Sequence, residues 1–418
     1  MEKVQLTLHK KSIENYDKIC EWFSQKTATL SLPIYSSYDI RDSGYKVSNV
    51  DANIYPAGFN NICPADKETT VELFENYFKK HYSMSTQNIL LVTEEHTSNA
   101  YYWDNVHAIK SLIEAGGRKV EVAIPKELAE PLQLTSASGK SVTVYSALAN
   151  SPLFESFKPD LIVSNNDFSV PYEDWAPTIP WPINPPRELG WYQRKKSTYF
   201  KHYNNLVNEY AQVAQVDPFL LRVETELFAN FDIGEESSRK ALADRVDAML
   251  ESLRVEYRKR NIDSEPFVFV KNNAGTYGLA VVKVSSGQEV LEWSYKSRKK
   301  MKAAKGGRDV EEVIIQEGIP SIVQADGASA EPVIYMVGCE LAGGFLRTHS
   351  EKSSTESLNS PGAVYKRLCV SDLAINAIGC PDENVYGWTA KLGLLAIGLE
   401  AKEMGVEFKQ YQNEPCRS

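Results

Sequence analysis

No stretch of the chain approaches the roughly twenty consecutive apolar residues that a membrane helix needs. The longer apolar runs, such as 394–399, have the length of core segments. The opening residues, MEKVQLTLHKK, hold no apolar block, so neither a secretory signal nor a membrane anchor is expected and the chain reads as cytoplasmic. Positive charge is outnumbered, with 46 Lys and Arg against 55 Asp and Glu. The formal net charge is -9 over 418 residues, which argues against a nucleic-acid partner, since phosphate backbones require a basic face. Cysteine is sparse and unpatterned: Cys20, Cys63, Cys339, Cys369, Cys380 and Cys416 form no CxxC and lie beside no histidine pair. Neither a zinc site nor a disulfide framework is expected, and reduced thiols are the ordinary reading. Two nucleotide signatures are missing as well. There is no GxxxxGK[ST], which excludes a P-loop, and no GxGxxG after the strand at 89–92, which counts against a Rossmann dehydrogenase.

What is present is the composition of a folded protein, 43% hydrophobic and 24% charged, with length for two or three domains. Up to about residue 85 short helices mix with a polar, Gly- and Asn-rich segment. Thr70 reads as the N-cap of a helix with Val71, Phe74, Tyr77 and Phe78 on its apolar side. From residue 88 the pattern changes. Apolar runs at 89–92, 120–124, 142–145 and 161–163 predict strands, with a helix through Ile113 closed by Gly116 and Gly117. Strands alternating with helices predict βαβ units around a parallel sheet. A proline-rich crossing follows over 171–191. Then comes a helix from about Ser237 with Leu242, Val246, Leu250, Leu253 and Val255 on one face. The expected fold is α/β, turning to α+β in the C-terminal part, with domains at 1–261 and 262–418.

The segment 266–284, PFVFVKNNAGTYGLAVVKV, carries the chemistry. It predicts a strand, a glycine-containing turn and a second strand. Small residues in such a turn let backbone N–H groups close over phosphate oxygens, and Lys271 adds a point charge. An ordinary hairpin accounts for the same residues. Further on, VIIQEG at 313–318 predicts an apolar strand ending in Gln316 and Glu317, the form of a hinge whose backbone reads adenine. Lys300 and Lys305 lie in the charged stretch between. Arg347, behind the glycines Gly343 and Gly344, has the chemistry to neutralise a transferring phosphate. Asn359 begins a turn, N-S-P-G.

Taken in order, these pieces resemble an ATP-grasp domain of the glutathione-synthetase-like type. The segments SYDIRDSGYK and DANIYPAGFNN (37–61), TEEHTSNAYY (93–102), LGWYQRKKS (189–197), VKNNAGTYG (270–278), IIQEGIP (314–320) and AEPVIYM with GGFLRTH and LNSPG (330–362) are similar to the proteobacterial glutamate–cysteine ligases that use this fold. That resemblance implies ATP-dependent joining of glutamate, through a γ-acyl phosphate, to cysteine, the first step toward glutathione, with ATP and Mg²⁺ required. Lys271 and the Gly275, Thr276, Tyr277, Gly278 turn would hold phosphates, with Lys300 or Lys305 as a second nucleotide lysine. Gln316 and Glu317 would sit at the adenine hinge, and Arg347 and Lys271 would act in catalysis. One departure stands out: the acid-x-Asn metal pair common in such domains is absent from the tail GVEFKQYQNEPCRS. Glu331 and Asn359 are the expected metal ligands in its place.

Glutamate carries an ammonium and two carboxylates, so its pocket should combine Arg with Asp and Asn. Asp39, Arg41, Asp51, Asn53, Asn60 and Asn61 supply that mixture, although Asn and Asp also favour turns on their own account. Ligands bind at the carboxyl ends of parallel strands, which adds His96 and Asn99 after one strand and Asn165 and Asp167 after another. Arg187 and Arg194 complete the set as carboxylate or phosphate partners. Two alternatives remain open at this level: a ligase of the same fold for another amino-acid pair, and a nucleotide-binding protein without turnover. Small-molecule partners are expected, and a homo-oligomer is left open.

Overall fold

A computed structural model of the chain describes residues 4–275, 280–302, 310–377 and 380–416. The predicted parallel sheet is present. Its strands Ser141–Ser146, Lys119–Ile124, Asn88–Thr93, Leu161–Asn165 and Ile183–Asn184 lie side by side in that order and run parallel, with Leu132–Thr135 antiparallel at one edge. Strands covered on both faces must be apolar nearly throughout, and 89–92 and 161–163 are fully buried. The helix Ala100–Ala115 starts where Asn99 accepts the N–H of Tyr102 and ends at Gly116 and Gly117.

The second sheet draws on both ends of the chain. Val364–Leu368, Glu340–His349, Ala328–Val337, Tyr35–Asp42 and Val47–Asn53 pair in that order, all antiparallel, with Gln324–Ala325 beside Ala328–Val337. The first stretch is therefore not only helices and polar loop, because residues 35–53 form a hairpin built into a sheet of much later strands. Side chains alternate across it. Tyr38, Ile40, Ile334 and Met336 join the core of the helix Val385–Glu403, whereas Tyr35, Val333, Tyr335 and Phe345 join the core that reaches the parallel sheet. Gly393 lets that helix lie close: a Cβ there would stand 2.6 Å from the ring of Tyr38 and 2.7 Å from the hydroxyl of Tyr199.

The third sheet is small and antiparallel: Val281–Val284, Val268–Asn272, Val313–Glu317 and Thr225–Phe228. Leu242, Val246, Leu250 and Leu253 of the helix Glu236–Lys259 pack on Val268, Val270, Val313 and Ile315. Residue 262 thus falls between this helix and the sheet it covers.

Three readings are corrected. Thr70 is not an N-cap: the helix begins at Lys67, and the Thr70 hydroxyl donates to the carbonyls of Asp66 and Ala342. Val255 lies on the exposed side of its helix, and Met249 and Tyr257 are buried there. The cysteines are not all reduced thiols, since Cys63 is joined to Cys369 and Cys339 to Cys416. Partners 306 and 77 residues apart leave no spacing signal in the chain. No helix among the described residues is long and apolar enough to cross a membrane.

Candidate active site

The face of the central sheet opposite the helix Val385–Glu403 carries a row of charges. Strand alternation puts Asp39 and Arg41 on that face together, and cross-strand register sets Arg347 opposite Glu331 and Asp39 opposite Asp51. The groups interlock. Arg347 Nη1 donates to Asp39 Oδ2 and to Glu331 Oε1, each at 2.7 Å. Arg41 Nε pairs with Glu331 Oε2 at 2.5 Å, and its Nη atoms donate to the carbonyls of Ser354 and Glu356. Lys196, at the start of the helix Lys196–Ala214, pairs with Asp51. Lys271 Nζ reaches across from the small sheet to Val50 O at 3.1 Å and Gln316 Oε1 at 2.5 Å.

Burial drives these groups apart electrostatically. It raises Asp39, helped by the facing Glu331 carboxylate and opposed by Arg347. For Glu331 burial also acts upward, but Arg41 and Arg347 together outweigh it and hold it low. Asp51 follows the same pattern, with Lys196 and Lys271 winning over burial. Burial pushes the Lys271 ammonium down to about 8. Arg347 Nε is buried without a hydrogen-bond partner among the described residues, and such a buried donor calls for an explanation.

Two cavities meet over this row. One, of about 60 Å³, is lined by Arg41, Lys196, Lys271, Gln316, Glu317 and Glu331 among others. The other, of about 820 Å³, is lined by Asn53, Asn60, Asn61, His96, Asn99, Asp167 and Arg347, with Tyr335, Phe345 and Tyr365 as apolar wall. Asp39, Asp51, Gly275 and Asn359 border both. Most of the expected site residues are thus brought together from six separate segments, 39–61, 96–99, 167, 271–275, 316–317 and 331–359.

Others are placed elsewhere. Asn165 stands behind the wall, accepting from Tyr102 and Asn105 and donating to Pro56 O. Arg187 donates to Pro171 O and pairs with Glu173 and Glu188. Arg194 is buried against Glu400 at 2.8 Å, behind the sheet. Lys300 falls on the helix Tyr295–Lys302, and Thr276, Tyr277, Gly278 and Lys305 lie outside the described residues. The carboxylate of Glu317 is engaged by Lys46 at 2.7 Å to both oxygens and by Tyr257, so it shapes the wall. Sequence reasoning missed Lys196 and Lys46. Lys196 sits two places after Arg194 in the QRKKS run, and only the helix start decides which cation faces the cavity.

Three cations and four carboxylates line the smaller cavity, which opens into a larger polar one, an arrangement suited to an enzyme that handles charged small molecules. The family model described as GshA, glutamate-cysteine ligase, matches residues 9–401, and the chain belongs to the glutamate–cysteine ligase family. A crystal structure from Methylobacillus flagellatus KT, of a protein assigned as a gamma-glutamylcysteine synthetase, is 32% identical, covers 95% of this chain and 96% of its own, and superposes with a TM-score of 0.84. Weaker likenesses are a glutathione synthetase-like effector from Globodera pallida, 10% identical over 86% of each chain at a TM-score of 0.35, and D-alanyl-alanine synthetase A from Vibrio cholerae, 11% identical over 80% of this chain and 88% of that one at 0.29. No curated protein matches the chain. The function of the family, ligation of glutamate to cysteine, is the function of this chain.

Proposed function

We propose that this ligase transfers the γ-phosphoryl group of ATP to the γ-carboxylate of glutamate and then lets the amino group of cysteine displace phosphate. A carboxylate oxygen attacks the γ-phosphorus and ADP leaves. The amine nitrogen attacks the acyl carbon, phosphate leaves with that oxygen, and the amine proton passes to solvent or a base. The observation that carries this reading is the shared wall. Lys271 faces the smaller cavity and Arg347 the larger, with Asp39, Asp51, Gly275 and Asn359 between them.

Residue roles follow from position. Lys271 and the turn from Asn273 to Gly275 take the phosphates, and the strand Val313–Glu317 forms the floor for the base, in an ATP-grasp arrangement of the small sheet over the central one. Arg347 stabilises the transferring phosphoryl group, its Nε being the unused donor. Asp51, Asn53, Asn60, Asn61 and Asn99 line the amino-acid side. Mg²⁺ takes hard oxygen donors, and Asp39, Asp51, Glu331 and Asn359 offer them around one cavity. Glu331 and Asn359, with Asp39 or Asp51, would hold the ion, which neutralises phosphate charge when bound.

The test is ADP release with panels of amino acids, together with glutamate labelled with ¹⁸O in its γ-carboxylate. Dependence on glutamate plus cysteine, with label appearing in inorganic phosphate, is expected. Release with a different pair and none with these, or phosphate free of label, overturns the reading.

A further inference from the structure

Asn273 spends all four of its polar groups on joining two parts of the site. Its N–H donates to Glu312 O at 3.0 Å and its carbonyl accepts the N–H of Lys196 at 2.7 Å. Its Oδ1 accepts the N–H of Ser197 at 2.8 Å, and its Nδ2 donates to Glu312 Oε2 at 3.0 Å. Glu312 in turn holds Lys195 at 2.7 Å. The first N–H groups of a helix have no partner within it. Lys195, the residue in the N-cap position of Lys196–Ala214, makes no side-chain cap. The cap comes instead from a residue 76 positions beyond Ser197, directly after the strand that bears Lys271 and two residues before Gly275. The helix it caps begins with Lys196, which pairs with Asp51 and lies 4.8 Å from the Trp191 ring.

We propose that Asn273 is a positioning residue that ties the strand bearing Lys271 to the helix that presents Lys196 to Asp51, so that the phosphate side and the amino-acid side are held in one geometry. The proposal rests on the ligase reading above. Its consequence is protection of the intermediate: an acyl phosphate formed while Lys271 and Lys196 are not held together meets water before the amine, and attack of water on the acyl carbon returns glutamate and phosphate without dipeptide.

The experiment compares the full-length protein with Asn273→Ala, with Asn273→Asp, and with Asn273→Asp combined with Glu312→Gln. Amide hydrogen exchange is read at residues 196–198, and phosphate and dipeptide are measured in parallel. Loss of the cap should speed exchange about fivefold in Asn273→Ala. A magnesium–ATP analogue should protect these amides in the wild type and not in that variant. The ratio of phosphate to dipeptide should rise above one, and kcat/KM for glutamate should fall about ten- to a hundredfold. Asn273→Asp keeps the acceptors for the helix but sets a carboxylate against Glu312, so it should retain the slow exchange and still uncouple. Adding Glu312→Gln supplies an amide donor to the new carboxylate and should restore coupling. Unchanged exchange in Asn273→Ala overturns the proposal. So does faster exchange with a ratio still at one and unchanged kinetics, because Asn273 is then a structural cap alone. If the wild type does not turn over glutamate with cysteine, the ligase mechanism fails separately, and protection by the nucleotide analogue still decides the link.

Discussion

Arg347 holds Asp39 through two guanidinium nitrogens, at 2.7 and 3.3 Å, across an intervening strand. That strand contributes Glu331, which shares one of the nitrogens. A single cation therefore serves two carboxylates through its Nη atoms, while its Nε has no hydrogen-bond partner among the described residues. Arg347→Ala should cost stability of roughly 3–5 kcal/mol, since breaking a buried pair strands its partners. Removing a donor to developing charge should also lower turnover by about a hundredfold or more. Arg347→Lys should recover part of the stability, because the charge returns, and little of the turnover, because the planar fork does not. Urea melts and ADP release measure the two effects, and normal turnover in folded Arg347→Ala would remove the catalytic role.

Lys271 sets a pH dependence. Burial lowers its ammonium from 10.5 to about 8, so the charge proposed to hold the phosphates is present below that pH and lost above it. In the free enzyme kcat/KM for ATP should decline as pH rises through about 8. Lys271→Met should show a low rate without that limb. The stability sign is opposite: the unfolded chain holds the proton up to 10.5, so the cost of the buried charge is complete below about 8 and fades as pH rises between the two values.

Lys46 and Glu317 form an ion pair shut away from solvent. Lys46→Met leaves Glu317 charged and buried, and the loss should be roughly 3–5 kcal/mol. Lys46→Met with Glu317→Gln should recover most of it, because the amide still meets Tyr257 and the N–H of Glu224. Denaturant midpoints for the single and double variants decide. An unrecovered double variant points to a loss other than the stranded charge.

The cysteine pairs are open to direct count. Unfolded without reductant, Cys63, Cys369, Cys339 and Cys416 should resist alkylation while Cys20 reacts, and all six cysteines should react after reduction. Cys63→Ser should lower stability by about 2–4 kcal/mol under oxidising conditions. Alkylation of all six without reductant would dispose of both bonds.

By itself the amino-acid order determined the local features, because their causes are local. Apolar runs at 89–92 and 161–163 had to become buried strands, Gly116 and Gly117 had to stop a helix, and the hairpin carrying Lys271 announced itself by a strand, a glycine and a strand. The motifs that resemble the ligase family reached most of the residues that line the two cavities. The tertiary structure decided what no neighbour along the chain can specify. It built residues 35–53 into a sheet with 328–368, where register alone puts Asp39, Asp51, Glu331 and Arg347 on one face. It turned Lys196 toward the cavity and Arg194 toward Glu400, a difference of helix phase at a boundary that propensity places only within a few residues. It also paired cysteines 306 residues apart, where proximity arises from the closed fold and leaves no trace in spacing.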